Sequence, residues 1–236
     1  MTPFTLPSGY PRIKKVSSFE ELVSTPLKDG VNALCWQREL PFDFCEIVSQ
    51  LGVSEGITPL DEARLLALPV SAAGKAAIKQ LLEDQQLLLD HGLSPSLDCI
   101  CSYPRDEEQE LVPTDVYSFH ADSATVEADT YLCTYNGATS EGLRNEDALR
   151  CVDLRETRAK LLGLFGGEDG ECFQKFLAEH CYDLHYVPAP HAQPFSFGRG
   201  NLWRIAIAWP GCPVLPCVHR APAQLPGDPP RLLLIS

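Results

Sequence analysis

The chain lacks the features that mark several large functional classes. Its 236 residues contain no Gly-rich phosphate loop and no Gly-x-Ser-x-Gly elbow, which removes two common enzyme classes. Basic stripes are missing too. Lys14-Lys15 is the only adjacent lysine pair, and 19 Lys and Arg against 32 Asp and Glu leave a net charge of -13. Phosphate backbones need a basic footprint, so a nucleic-acid partner is not expected. Apolar runs fall short of a membrane span. Met1 to Tyr10 shows no charged segment followed by an apolar run, which predicts no secretory signal and a cytoplasmic location. The ten cysteines form no Cys-x-x-Cys pair, so they are expected as buried thiols that behave as small hydrophobes.

What is present fits a soluble globular protein with one substantial core. A hydrophobic fraction of 44% and a charged fraction of 22% are ordinary for that class. Residues 1–30 read as an irregular lead-in with one short helix, Ser18 to Ser24, and residues 31–36 as a strand. Helices are expected over Phe42 to Leu51 and Pro59 to Leu68, where Pro59 suits a first turn and Asp61-Glu62 the positive helix end. The clearest helix spans Ser71 to His91, with Ile78, Leu81, Leu82, Leu88 and Leu89 at helical spacing and Gly92 closing it. Residues 1–93 therefore read as a mainly helical part packed on the core.

The pattern changes at Ser94. Strand-like segments are expected at Leu97 to Tyr103, Val116 to His120 and Thr130 to Tyr135, with a turn at Asn136-Gly137. A helical insert follows at about 155–182, as Arg155 to Phe165 and Gly170 to Tyr182. Strands return at Pro194 to Phe197, Leu202 to Trp209, Val214 to His219 and Arg231 to Ile235, separated by Pro and Gly. Residues 94–236 thus read as a β-rich, metal-binding core. The whole is α+β, with an antiparallel jelly roll favoured over a parallel sheet.

His120-x-Asp122 ends one of these strands. Side chains two apart share a face, so an imidazole and a carboxylate can converge on one ion. Six His and fifteen Asp would produce about 0.4 such pairs by chance, so the motif alone is weak. His219 ends a second apolar strand, and Arg231 opens the last one. Two His and one carboxylate make the facial triad of non-haem Fe(II) oxygenases. An Arg nearby could clamp the far end of a dicarboxylate through two parallel hydrogen bonds.

This order, His120-x-Asp122, then His219, then Arg231, resembles the Fe(II)/2-oxoglutarate dioxygenase superfamily. The resemblance implies a double-stranded β-helix (a cupin-like jelly roll), iron on His120, Asp122 and His219, and the 2-oxoglutarate carboxylate on Arg231. A second likeness is carried by residues 32–40 (NALCWQREL), 119–122 (FHAD), 132–137 (LCTYNG), 219–222 (HRAP) and 231–234 (RLLL). These segments resemble the DUF1826 family, a bacterial family of unassigned function, and would span most of the chain.

Competing readings of the same residues stay open. His120 can be a core histidine, Asp122 a turn former and Arg231 a surface residue. Cys181 and His185, with His191 or Cys172, offer a rival zinc set. Cys217-x-His219 places a thiol and an imidazole on one strand face, as a cysteine hydrolase would, but lacks an orienting third residue. Gly198 to Arg204 can line a substrate mouth, although Trp203 fits better in the core. The favoured expectation is an Fe(II)- and 2-oxoglutarate-dependent oxygenase acting on a small molecule or peptide. The alternatives are a non-catalytic cupin-like metal-binding protein and an interaction module without metal.

Overall fold

The computed structural model describes residues 5–105, 111–225 and 227–236; the first four residues of the expected lead-in lie outside that range. The lead-in is not wholly irregular. Strand β1 (Ile13–Val16) pairs in parallel with β2 (Ala33–Trp36), and α1 (Phe19–Ser24) bridges them. Parallel strands need such a crossover, which is why this pair departs from the antiparallel rule. The Ser18 hydroxyl accepts from the Glu21 N–H and starts the helix.

Next come α2 (Cys45–Leu51), β3 (Ile57–Pro59), α3 (Glu62–Leu66) and α4 (Ala72–Asp90). Pro59 ends a strand and does not open a helix. It lies on the edge strand of its sheet, where a missing N–H is tolerated, and Asp61 caps α3 instead by accepting from the Arg64 N–H. In α4, Ser71 caps the first turn, and Gly92 follows the last one at φ +83°. Ala77, Ile78, Leu81 and Leu88 form its buried face. Each buried Leu or Ile stabilises by about 1.5–3 kcal/mol relative to exposure.

The rest of the chain is β4 (Ser96–Ile100), β5 (Phe119–His120), β6 (Asp129–Asn136), β7 (Glu141–Leu143), β8 (Ala148–Arg150), α5 (Arg155–Phe165), α6 (Glu171–Glu179), β9 (His185–Pro188), β10 (Phe195–Ser196), β11 (Leu202–Ala206), β12 (Val218–Arg220) and β13 (Arg231–Ile235). Strand β5 is shorter than the expected 116–120. The Asp115 carboxylate accepts from the N–H groups of Tyr117 and Ser118, and this local turn keeps them out of the sheet.

Two sheets result. Sheet A runs β1-β2-β11-β6-β13-β4-β3 and sheet B runs β10-β7-β12-β5-β9-β8; every strand pairing except β1–β2 is antiparallel. From β4 to β7 the chain alternates between sheets, and it alternates again from β11 to β13. Strand parity then sorts the core. Tyr131, Cys133 and Tyr135 of β6 face a layer built from α1 to α4, whereas Leu132 joins Trp203, Ile205, Phe197, Cys217 and Leu233 between the sheets. Helices α5 and α6 form a separate small core with Cys151 and Val152. This is an α+β fold whose curled, partly barrel-like antiparallel sheet B and several helices are consistent with a cupin-like arrangement. Among the described residues no helix is long and apolar enough to cross a membrane.

Candidate metal centre

His120 and His219 are directly opposite one another on β5 and β12. Phe119 and Val218 pack together on one side of sheet B, so alternation sends both imidazoles to the other side. Their rings lie 4.7 Å apart. Asp122 follows β5, and its main chain is held by the segment after β11: Ala208 N donates to Asp122 O at 2.8 Å, and Ala124 N donates to Ala208 O at 2.9 Å. Its carboxylate thereby reaches both rings, at 3.7 Å from His120 Nε2 and 3.8 Å from His219 Nε2. One ligand atom from each of the three lies within 4.8 Å of the others, and no other such group of three occurs among the described residues. Adjacent ligands on a first-row ion at about 2.1 Å sit about 3 Å apart, so the set would draw in by about 1–2 Å to close on a metal.

The protonation pattern suits a cation. His120 Nδ1 lies 2.8 Å from the Ser118 carbonyl oxygen and His219 Nδ1 lies 3.4 Å from that of Cys217. A carbonyl only accepts, so each Nδ1 carries the proton and each Nε2 offers its lone pair. Burial drives the His219 imidazole towards its neutral form, outweighing the opposing pull of Asp122. Burial would also raise the Asp122 carboxyl, but His219 and the Thr130 hydroxyl hold it below the usual carboxylate range. Thr130 Oγ1 donates to Asp122 Oδ2 at 2.7 Å.

Gly142 of β7 pairs with His219 from the other side. A Cβ there would collide with the Phe195 ring and approach Phe197 to 2.8 Å. Phe197 in turn stacks on Trp203 at 4.4 Å, and its ring centre is 6.3 Å from that of His219. Trp203 is thus a core residue, as its buried indole and its 2.7 Å bond to Phe197 O require. A cavity of about 210 Å3 opens beside His120 and Asp122, with Val116, Leu184, Cys181 and His185 on its walls.

Arg231 lies on the inner face of β13 and is buried to 1% exposure. Its Nη1 donates to Tyr103 Oη at 2.9 Å, and its Nη2 donates to Thr134 Oγ1 at 3.2 Å and Ser140 Oγ at 3.0 Å. Its Nε has no partner, and no carboxylate among the described residues pairs with the guanidinium. Burial pushes its pKa down, with only Tyr103 and Tyr117 opposing, and its charge reaches His219. The reading of Arg231 as a surface residue is overturned.

The rival sites do not assemble. Helix α6 ends at Glu179, Cys181 sits in the left-handed region at φ 56°, and His185 begins β9, so the two are not one helical turn apart. Cys172 is exposed on α6, and His191 pairs with Asp147 at 3.1 Å. His185 instead stands across from His120 in the sheet, its Nδ1 2.9 Å from Ser118 Oγ. Burial pushes the Cys217 thiol up to about 12, which leaves no thiolate for nucleophilic chemistry.

Thr130, Tyr103, Thr134 and Ser140 were not singled out by the sequence reading. Hydroxyls carry no motif; Thr130 and Thr134 share the inward parity of β6, whereas Tyr103 and Ser140 lie outside the strands. His120, Asp122 and His219 are grouped as in a metal-binding site of the 2-His-1-carboxylate type. No family model matches the chain, and no curated protein or solved structure gives a significant match, so the resemblance to the DUF1826 family gains no support from these comparisons.

Proposed function

We propose that the protein is an Fe(II)- and 2-oxoglutarate-dependent oxygenase, with iron on His120, Asp122 and His219 and the distal carboxylate of 2-oxoglutarate on Arg231. The observation that carries this reading is a surplus of donors around Arg231. Tyr103, Thr134 and Ser140 all accept from the guanidinium, so each hydroxyl keeps its own proton to give. The Nε–H adds a fourth donor with no partner. A buried cation with donors on every side is costly unless an anion completes it. A carboxylate supplies the missing acceptors in the planar geometry a guanidinium prefers.

The alternation of strands between the sheets supports a double-stranded β-helix for residues 94–236, with the insert at about 155–182 and the helices of residues 1–93 covering the outer face. Iron held here would supply oxidation of a substrate C–H bond by oxygen at the expense of 2-oxoglutarate. His120 and His219 would bind through Nε2, their rings held by backbone carbonyls. Asp122 would contribute the negative charge, and Arg231 would orient the cosubstrate where the packed sheets exclude water. A small molecule or a peptide side chain would enter by the cavity beside His120 and Asp122.

Anaerobic Fe(II) titration followed by 2-oxoglutarate tests the proposal. Wild type is expected to bind one Fe(II) and to develop a weak visible charge-transfer band when 2-oxoglutarate is added. Arg231→Ala should keep the iron yet bind 2-oxoglutarate about 100-fold more weakly, the scale of losing one partner of a buried charged pair. Iron binding without any 2-oxoglutarate band would favour the non-catalytic, cupin-like metal-binding alternative. Equal Fe(II) binding by wild type, His120→Ala and His219→Ala would overturn the site itself.

A further inference from the structure

Asp122 is the ligand with the least structural support from its own sheet, because it lies beyond the end of β5. Its backbone and its side chain are both held from elsewhere. Ala208 fixes the main chain, and Thr130 of β6 in sheet A fixes the carboxylate. Thr130 points inward with Leu132 and Thr134, two and four residues on, and pairs with Ile205 of β11. A valine would serve the strand at this position equally well, so what the threonine adds is its hydroxyl. That hydroxyl donates to Oδ2, which faces His219 Nε2 at 3.8 Å, while Oδ1 faces His120 Nε2 at 3.7 Å.

We infer that Thr130 is a positioning residue for the metal: by engaging Oδ2 it fixes the plane of the Asp122 carboxylate and restrains it from closing on the ion through both oxygens. The inference rests on the metal reading given above. A carboxylate with one oxygen engaged by a hydroxyl has a fixed plane. Released, it can rotate and close on the ion through both oxygens, filling a position needed for a second ligand. Groups that orient metal ligands from outside typically change affinity by about 10- to 100-fold when removed.

Thr130→Val and Thr130→Ser separate this role from a purely structural one. Binding of Fe(II) is measured anaerobically, Co(II) replaces it for the visible spectrum, and the melting temperature is read without metal. Thr130→Val should melt within a few degrees of wild type when metal-free. It should bind Fe(II) about 10- to 100-fold more weakly and shift the Co(II) d–d bands. Thr130→Ser should restore affinity and spectrum. If wild type binds tightly and Thr130→Val binds within twofold with an unchanged Co(II) spectrum, the positioning role is wrong and the metal site stands. If wild type binds neither ion, both readings fall.

Discussion

Arg231 is fully buried and the Arg38 side chain is only 8% exposed, and the two are treated in opposite ways. Arg38 follows β2 and lies against the helical layer, where its Nη1 and Nη2 donate to Asp84 of α4 at 2.7 and 2.8 Å. Its Nε donates to Gly200 O at 2.8 Å, and its plane lies over Trp36. Tyr135 and Gln80 also donate to Asp84, so every charge has a partner. Arg231 lies between the sheets with three hydroxyls, no carboxylate and an unused Nε. Burial lowers the pKa of both, but Asp84 reverses the effect for Arg38, whereas Arg231 stays lowered. The first arginine is finished by the fold and ties α4 to sheet A. The second keeps an unpartnered Nε and no carboxylate among the described residues.

Breaking the finished pair should give the largest effect. Asp84→Ala leaves the Arg38 guanidinium buried without its carboxylate and is expected to destabilise by about 3–5 kcal/mol in urea unfolding. Arg38→Met with Asp84→Leu should recover most of that loss, because burying neither charge is often neutral. Tyr135→Phe comes next. It removes one 2.6 Å bond to an ionised acceptor and should reduce stability by about 1.5–3 kcal/mol. A loss below about 0.5 kcal/mol for Asp84→Ala would show that the pair is not the tie described here.

The finished region was the harder one to read from sequence, and the site the easier. Asp84 and Arg38 are 46 residues apart, and nothing in a helix of 19 residues marks one acidic side chain as buried. The grouping of His120, Asp122 and His219 was legible because ligand chemistry restricts residue types and strand alternation restricts spacing. Long periodic elements were legible as well: α4 begins at its Ser71 cap, and α5 spans 155–165 as expected. Strands β1, β3, β7, β8 and β9 were missed because three or four residues show too little alternation to stand out. Pro59 misled because a proline suits both a first helical turn and an edge strand, and only the pairing with Asp98 decides between them.

The smallest effect on stability is expected at the unfinished arginine, and it is the most informative. Arg231→Met removes a buried charge that has no carboxylate and replaces it with an apolar chain of similar length. The three hydroxyls lose a donor but can turn to donate to nearby carbonyls, so the metal-free protein should change by less than about 1 kcal/mol. Ligand response should differ sharply. With Fe(II) bound anaerobically, 2-oxoglutarate at about 100 times its Kd should stabilise wild type by about 2.7 kcal/mol, and the same concentration should do almost nothing for the variant. A loss of about 3 kcal/mol in the variant without ligand would make Arg231 a second structural arginine and remove the contrast. Near-neutral stability with a lost ligand response would show that burying an incomplete cation serves binding, since packing gains nothing from it.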